Sequence, residues 1–165
     1  MTLRFAAPVS LEDALVLLAD DLAARPVAGG TDLVVAARQG RKPLPESIVA
    51  IDRIGELAGH EIVDGALVLG GLTDHAWLAV SAEVRAGWTA LSDAASIVGS
   101  PATRGTGTIG GNLMNASPAA ETTGPLVVLD ASVTLRASGG ASRIVAVADL
   151  ATGPGRTVAL QGELL

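Results

Sequence analysis

Gly107-Thr108-Ile109-Gly110-Gly111-Asn112-Leu113, together with its shorter counterpart Ala28-Gly29-Gly30-Thr31-Asp32, decides how this chain is read. Paired glycines permit positive φ and let backbone N–H groups approach an anion closely, and a helix N-terminus directly after them adds partial positive charge. Each loop is therefore a candidate anion nest. Two such loops can clasp both phosphates of a diphosphate, with Thr31, Thr108 and Asn112 adding side-chain donors that bring no net charge. Taken singly, a Gly-Gly pair can simply turn the chain. The two loops together favour a dinucleotide-sized ligand. Neither is a standard nucleotide fingerprint: no G-x-x-x-x-G-K-[ST] occurs, and Gly105-x-Gly107-x-x-Gly110 lies in an irregular loop with no strand before it, which sets a Rossmann reading aside.

Around the first loop, Leu3 to Ala6 reads as a strand, and Ser10 with Asp13 signals a helix whose apolar stripe is Leu11, Ala14, Leu15, Leu18 and Leu22. Arg25-Pro26 ends it, Val27-Ala28 makes a short strand, the glycine turn opens into a helix to Arg38, and Ser47 to Asp52 is a second strand. Residues 1–55 thus form a small α/β lobe, and residues 56–165 a second, α+β lobe that carries the other glycine loop. The second lobe opens on a hairpin, with Glu61 to Val63 and Leu67 to Leu69 flanking the turn signal Asp64-Gly65. Thr73 caps a helix through Val80, Ser81 starts a short helical turn, and Thr89 to Val98 is helical by pattern. Gly99 to Pro118 reads as a long irregular loop, the kind that tends to be functional. Ser117-Pro118 then starts a helix toward Leu129, strands follow at Ser132 to Arg136 and Arg143 to Val147, and the tail after Gly153 is loop-like.

Composition narrows the function classes. With 165 residues, 49% of them hydrophobic and 17% charged, the chain can bury a sizeable core. Its mean hydropathy of +0.48 is high, yet charges and glycines interrupt every apolar run before a spanning length, so no membrane span is expected. The absence of cysteine excludes disulfides, Cys-ligated iron–sulfur clusters and cysteine nucleophiles. His60 and His75 are too far apart for a compact ligand pair, and no metal site is expected. A net charge of -6 opposes a phosphate backbone, so nucleic acid is a poor partner. The opening Met1-Thr-Leu-Arg-Phe lacks a secretory pattern, which gives a cytoplasmic expectation. With aromatic residues at 2%, ligand binding must lean on backbone.

Three segments carry a resemblance: Ala28-Gly29-Gly30-Thr31-Asp32-Leu33, Val98 through Leu113, and Asn115-Ala116-Ser117-Pro118-Ala119-Ala120-Glu121. They resemble the FAD-binding medium subunit of molybdenum hydroxylases, the family of xanthine dehydrogenase and carbon monoxide dehydrogenase. The resemblance implies a p-cresol methylhydroxylase-type FAD fold, two lobes with the cofactor between them. Carried over, Val27, Ala28, Gly29, Gly30, Thr31, Asp32 and Leu33 line the diphosphate from the first lobe, and Thr108, Ile109, Gly110, Gly111 and Asn112 hold it from the second. Val98 lies near the adenine, Leu164 approaches the flavin, and Glu121 stands where Asp is usual at the adenosine end. Family subunits continue into a further domain, whereas this sequence stops at Gly162-Glu163-Leu164-Leu165, so the expected fold lacks the usual C-terminal flavoprotein domain.

The function so implied is FAD-mediated electron transfer. Electrons come from a separate iron–sulfur small subunit, within a complex whose large subunit carries the molybdenum cofactor, and leave to a nicotinamide, quinone or oxygen. No side chain reads as a catalytic residue. The alternatives are a non-redox diphosphate or nucleotide-binding module and an FAD-less structural subunit of the same fold. Outside the loops, Asp32 reads as a helix cap, His75 and His60 as surface residues, Asp20-Asp21 as a solvated helix face, and Arg41-Lys42 as a loop patch. Arg104 could reach a phosphate or a partner chain.

Overall fold

The computed structural model describes residues 3–165. Strand β1 (Arg4–Ala6), helix α1 (Leu11–Asp20), strand β2 (Ala24–Val27), helix α2 (Thr31–Arg38) and strand β3 (Ser47–Ala50) follow one another. β3 lies between β1 and β2 and pairs with both in parallel, Phe5 opposite Ile48 and Pro26 opposite Val49. Pro26 is accommodated because β2 is an edge strand with no ladder bond to lose on its outer side. Ser10 caps α1 by accepting the Asp13 N–H at 3.2 Å. The stripe Leu11, Ala14, Leu15 and Leu18 is buried as expected, but Leu22 is exposed. The helix stops short of Leu22 because Asp21 turns to extended backbone, and its carboxylate accepts the Ala23 N–H at 3.0 Å. Around α1 a first core gathers Ala24, Val49, Ile51, Ile54, Leu57 and, from the far end of the chain, Leu164.

β4 (His60–Val63) and β5 (Ala66–Leu69) form the expected hairpin. Its central residues Asp64 and Gly65 both have positive φ, 51° and 81°, as a tight two-residue turn requires. Helices α3 (His75–Val80), α4 (Ala82–Gly87) and α5 (Thr89–Ser96) follow. Asp74, not Thr73, caps α3: the helix begins one residue later than expected, and the Asp74 carboxylate accepts the Trp77 N–H at 2.7 Å while the Thr73 hydroxyl donates to the Gly59 carbonyl. The stretch expected to be irregular contains α6 (Pro101–Arg104) and α7 (Ile109–Asn115), capped by Ser100 and Thr108. α8 (Thr123–Val128) begins later than expected, since Ser117 closes a local turn onto the Ala119 N–H instead of starting a helix.

β6 (Ser132–Arg136) and β7 (Ser142–Ala146) pair antiparallel as expected. The tail is more ordered than expected: α9 (Val147–Leu150) leads into the small ribbon of β8 (Ala151–Gly153) and β9 (Arg156–Thr157). The tail then returns to β6, where Arg136 and Leu164 exchange N–H···O bonds of 2.7 and 2.8 Å. A second core collects Leu78, Val84, Leu91, Ile109, Leu126 and Leu135.

Candidate functional site

A cleft of about 730 Å³ is lined by the turn from β2 into α2, by Val98 and Gly99, by the second glycine loop with α7, by Glu121, and by residues 159–163 near the chain end. Its size is that of a small-molecule site.

The first loop turns on a glycine in the left-handed region and leads directly into a helix. Gly30 is the N-cap of α2 in the left-handed conformation (φ 65°, ψ 9°), and no side chain caps this helix. The N–H groups of Gly29, Gly30, Thr31 and Asp32 have no acceptor among the described residues. Gly29 serves a close approach as well: a β-carbon there would meet the Thr106 carbonyl oxygen. The two loops are thus in backbone contact. Gly107 completes this junction, since a β-carbon on it would lie 3.3 Å from His75 Cδ2 and 3.4 Å from Thr31 Oγ1.

The second loop is not the nest its glycines suggest. Ile109 N–H donates to the Thr73 carbonyl and Gly110 N–H to the Gly71 carbonyl, both at 2.9 Å. Gly111 N–H donates to Thr108 Oγ1 at 3.1 Å, and Asn112 N–H to the Thr108 carbonyl at 2.9 Å. Gly110 serves packing, because a β-carbon there would stand 2.7 Å from the Gly71 oxygen. Ile109 and Leu164 are buried in the two cores, and neither they nor Gly110 line the cleft. The loop instead offers side chains. Thr108 lines the cleft with its hydroxyl hydrogen uncommitted. Asn112 lines it too, and its Oδ1 accepts the hydroxyl of fully buried Thr122 at 2.6 Å, which orients the amide and leaves Nδ2 without an acceptor among the described residues.

The cleft brings together Val27 to Leu33, Val98, Thr108, Gly111, Asn112 and Glu121 of the residues expected from sequence. Asp32 does not cap α2. Its Oδ2 accepts from Asn115 Nδ2 at 3.1 Å and so ties α2 to α7. Asn115 itself lines the cleft and was legible only as part of the Asn115-Ala116-Ser117 motif. Arg104 turns inward, its Nη1 donating to the carbonyls of Val98 at 3.1 Å and Gly99 at 3.2 Å, which pins the loop that bears Val98.

The expectation for His75 is overturned: it is 1% exposed, beneath Gly107, and lines the cleft. Burial lowers its pKa, against the opposing pull of Glu121, Asp74 and Asp32. His60 stacks on Trp77 with ring centroids 3.7 Å apart.

Charge in the cleft is mostly negative. Asp32, Glu121 and Glu163 line it, and Arg25, the one lining cation among the described residues, directs Nη1 to the Leu22 and Ala24 carbonyls. Glu163 is paired with Arg143 through bonds of 2.8 and 2.7 Å, which hold its carboxyl below the usual range. An anion in this cleft would be held by neutral donors. Among the described residues no group of three or more His, Asp or Glu is placed to hold a metal ion, and no helix is long and apolar enough to cross a membrane.

Comparison with known proteins places these features in context. Residues 1–165 match the family described as the FAD binding domain in molybdopterin dehydrogenase. The chain is 35% identical over 154 residues to the nicotinate dehydrogenase FAD-subunit of Eubacterium barkeri, covering 92% of this chain and 51% of that one. It is 32% identical over 157 residues to the xanthine dehydrogenase FAD-binding subunit of Escherichia coli O157:H7, covering 94% and 53%. The fold superposes on a chain of reconstituted CO dehydrogenase from Oligotropha carboxidovorans with a TM-score of 0.93 at 31% identity, over 100% of this chain and 57% of that one. The chain spans about half the length of the curated relatives it matches.

Proposed function

The chain belongs to the family of FAD binding domains in molybdopterin dehydrogenase, and from that membership we propose that it holds FAD in the cleft between its glycine loops and acts as the flavin electron-transfer part of a molybdenum-containing hydroxylase or dehydrogenase. One observation carries the placement. The free amides of Gly29 to Asp32, at the N-terminus of α2, share a cleft with the Thr108 hydroxyl and the Asn112 amide. That is a donor set suited to a diphosphate.

In this reading the amides of Gly29, Gly30, Thr31 and Asp32 donate to diphosphate oxygens, flanked by Val27, Ala28 and Leu33. Thr108 and Asn112 donate from the opposite wall, Val98 packs toward the adenine, and Glu121 accepts from hydroxyls at the adenosine end. Ile109, Gly110 and Leu164 support the walls from within the protein. The walls belong to two lobes, residues 1–55 and 56–165. Because the donors are neutral while the cleft and the diphosphate are both negative, added salt should not weaken binding.

When bound, FAD supplies the redox chemistry, accepting and releasing electrons, while the protein binds, orients and tunes it. These 165 residues hold no cysteine and so ligate no iron–sulfur cluster through thiolates; in this reading electrons arrive from a separate iron–sulfur subunit. The molybdenum cofactor belongs to a third, and electrons leave to an external acceptor, a nicotinamide, a quinone or oxygen.

The test is a visible absorption spectrum of the purified chain after FAD is added and the excess removed, for the wild type and Asn112→Asp. The substitution keeps an oxygen for the Thr122 hydroxyl and sets a carboxylate where an amide donor stood. The wild type should retain the flavin bands, and the variant should bind at least about tenfold more weakly at an unchanged melting temperature. Equal retention would move the diphosphate elsewhere, and no uptake by the wild type would sink the reading.

A further inference from the structure

Resting on this reading of the cleft, we propose that His75 is a positioning residue for the diphosphate, with its Nε2–H donating to a phosphate oxygen. The imidazole is 1% exposed and lines the cleft, yet neither ring nitrogen has a hydrogen-bond partner among the described residues. Buried polar groups are normally paired, and a core histidine held only for packing would find a protein acceptor for its N–H. Nδ1 is sealed from solvent. That leaves Nε2, next to the Cδ2 edge, as the nitrogen that can face a ligand. An orphan lone pair is better tolerated in the interior than an orphan N–H, so the neutral tautomer with its proton on Nε2 is the stable one.

The backbone fixes where this donor points. His75 N–H donates to the Gly107 carbonyl at 3.2 Å, which seats the residue beneath the second loop at the first turn of α3. A β-carbon on Gly107 would meet both His75 Cδ2 and the Thr31 hydroxyl, so the two side chains approach the same face of this glycine. Thr31 begins α2, whose first amides are free. The imidazole thus joins the same donor set from below. Three carboxylates face it, Asp74 from the cap of its own helix, Asp32 from α2 and Glu121 from the segment before α8. They favour the imidazolium, but enclosure of Nδ1 without an acceptor opposes it, and burial keeps the ring neutral to lower pH than an exposed histidine. A neutral donor suits an already negative cleft.

The chain has only two histidines, so two-bond 1H–15N correlation spectra of the imidazoles resolve His75 directly. The ligand-free chain should show a neutral, Nε2-protonated ring. Saturation with FAD or with ADP should shift its Nε2 resonance, and riboflavin, which has no diphosphate, should not. In parallel, His75→Phe should fold, as judged by its melting curve, and bind FAD at least about tenfold more weakly. Wild-type chain that binds FAD with an unmoved His75 resonance overturns this inference and leaves the reading of the cleft intact. Wild-type chain that binds no FAD overturns both. A shift with riboflavin equal to that with FAD would place the imidazole at the flavin and also overturn it.

Discussion

A β-carbon on Gly29 would collide with the carbonyl oxygen of Thr106, so the two glycine loops meet at a contact that only glycine permits. The obstacle is backbone, which cannot swing aside as a side chain can. Gly29→Ala should push the loops apart, cost about 2 kcal/mol of stability and weaken FAD binding. Gly30 differs: its φ of 65° is the constraint, and the nearest atom to an added β-carbon is a Val27 methyl at 3.4 Å. Asn tolerates that conformation. Gly30→Asn should therefore cost about 1 kcal/mol or less. Urea melts and flavin titrations of both variants check the order, and equal losses would contradict it.

Gly110 and Gly111 should separate in the same way although they are adjacent. A β-carbon on Gly110 meets Gly71 backbone at 2.7 and 3.0 Å, and the bond from Gly110 N–H to the Gly71 oxygen leaves neither segment free to withdraw. Gly110→Ala should cost about 2–3 kcal/mol. At Gly111 the near atom is only Thr108 Oγ1, at 2.9 Å, and rotating it away forfeits the α7 cap. Gly111→Ala should cost about 1 kcal/mol. Thermal melts of the two ligand-free variants decide this, and a larger loss at Gly111 would refute the packing role of Gly110.

The Asp64-Gly65 hairpin and the Ser10 cap are legible in the sequence because every group involved lies within a few residues. Helix α7 is not, since Ile109-Gly110-Gly111-Asn112 has poor helix propensity and is held by the Thr108 cap and by contact with Gly71. The motif residues Val27 to Leu33, Thr108 and Asn112 do converge on one cleft. Which of their amides remain free was beyond the pattern, because the Thr73 and Gly71 carbonyls that occupy the second loop come from another segment. His75 is equally silent in sequence: Gly107, far downstream, is what covers it.

An ion pair helps to hold the cleft-lining residue Glu163 in place. Arg143 on β7 grips Glu163 with bonds of 2.8 and 2.7 Å, and the same carboxylate accepts the Leu160 N–H at 2.7 Å. Glu163→Gln keeps the shape but removes the charge that both donors use. Its melting temperature should fall by about 3 °C at pH 7. Because the carboxyl pKa is lowered by Arg143, that contribution is present above the unfolded-chain value and is lost as pH falls through the folded one. The difference between wild type and variant should therefore close in acid, and a constant difference down to pH 2 would show that shape alone mattered.

His75 gives a stability dependence in a separate window. Burial holds its folded pKa below the ordinary imidazole value. The unfolded chain consequently takes up a proton near that value while the folded chain does not. Stability of the ligand-free protein is then greatest above about pH 7 and declines as pH falls through the mid-6 range, until the folded pKa is reached. Asp21, Glu56 and Glu163, all lowered in the folded chain, act only below the unfolded carboxylate range and leave this window clear. His75→Gln cannot titrate, so its melting temperature should vary less between pH 7 and pH 5 than that of the wild type. Parallel curves for the two proteins would mean that the imidazole is not held neutral in the fold. That outcome would remove the electrostatic reason for expecting a neutral donor beneath Gly107.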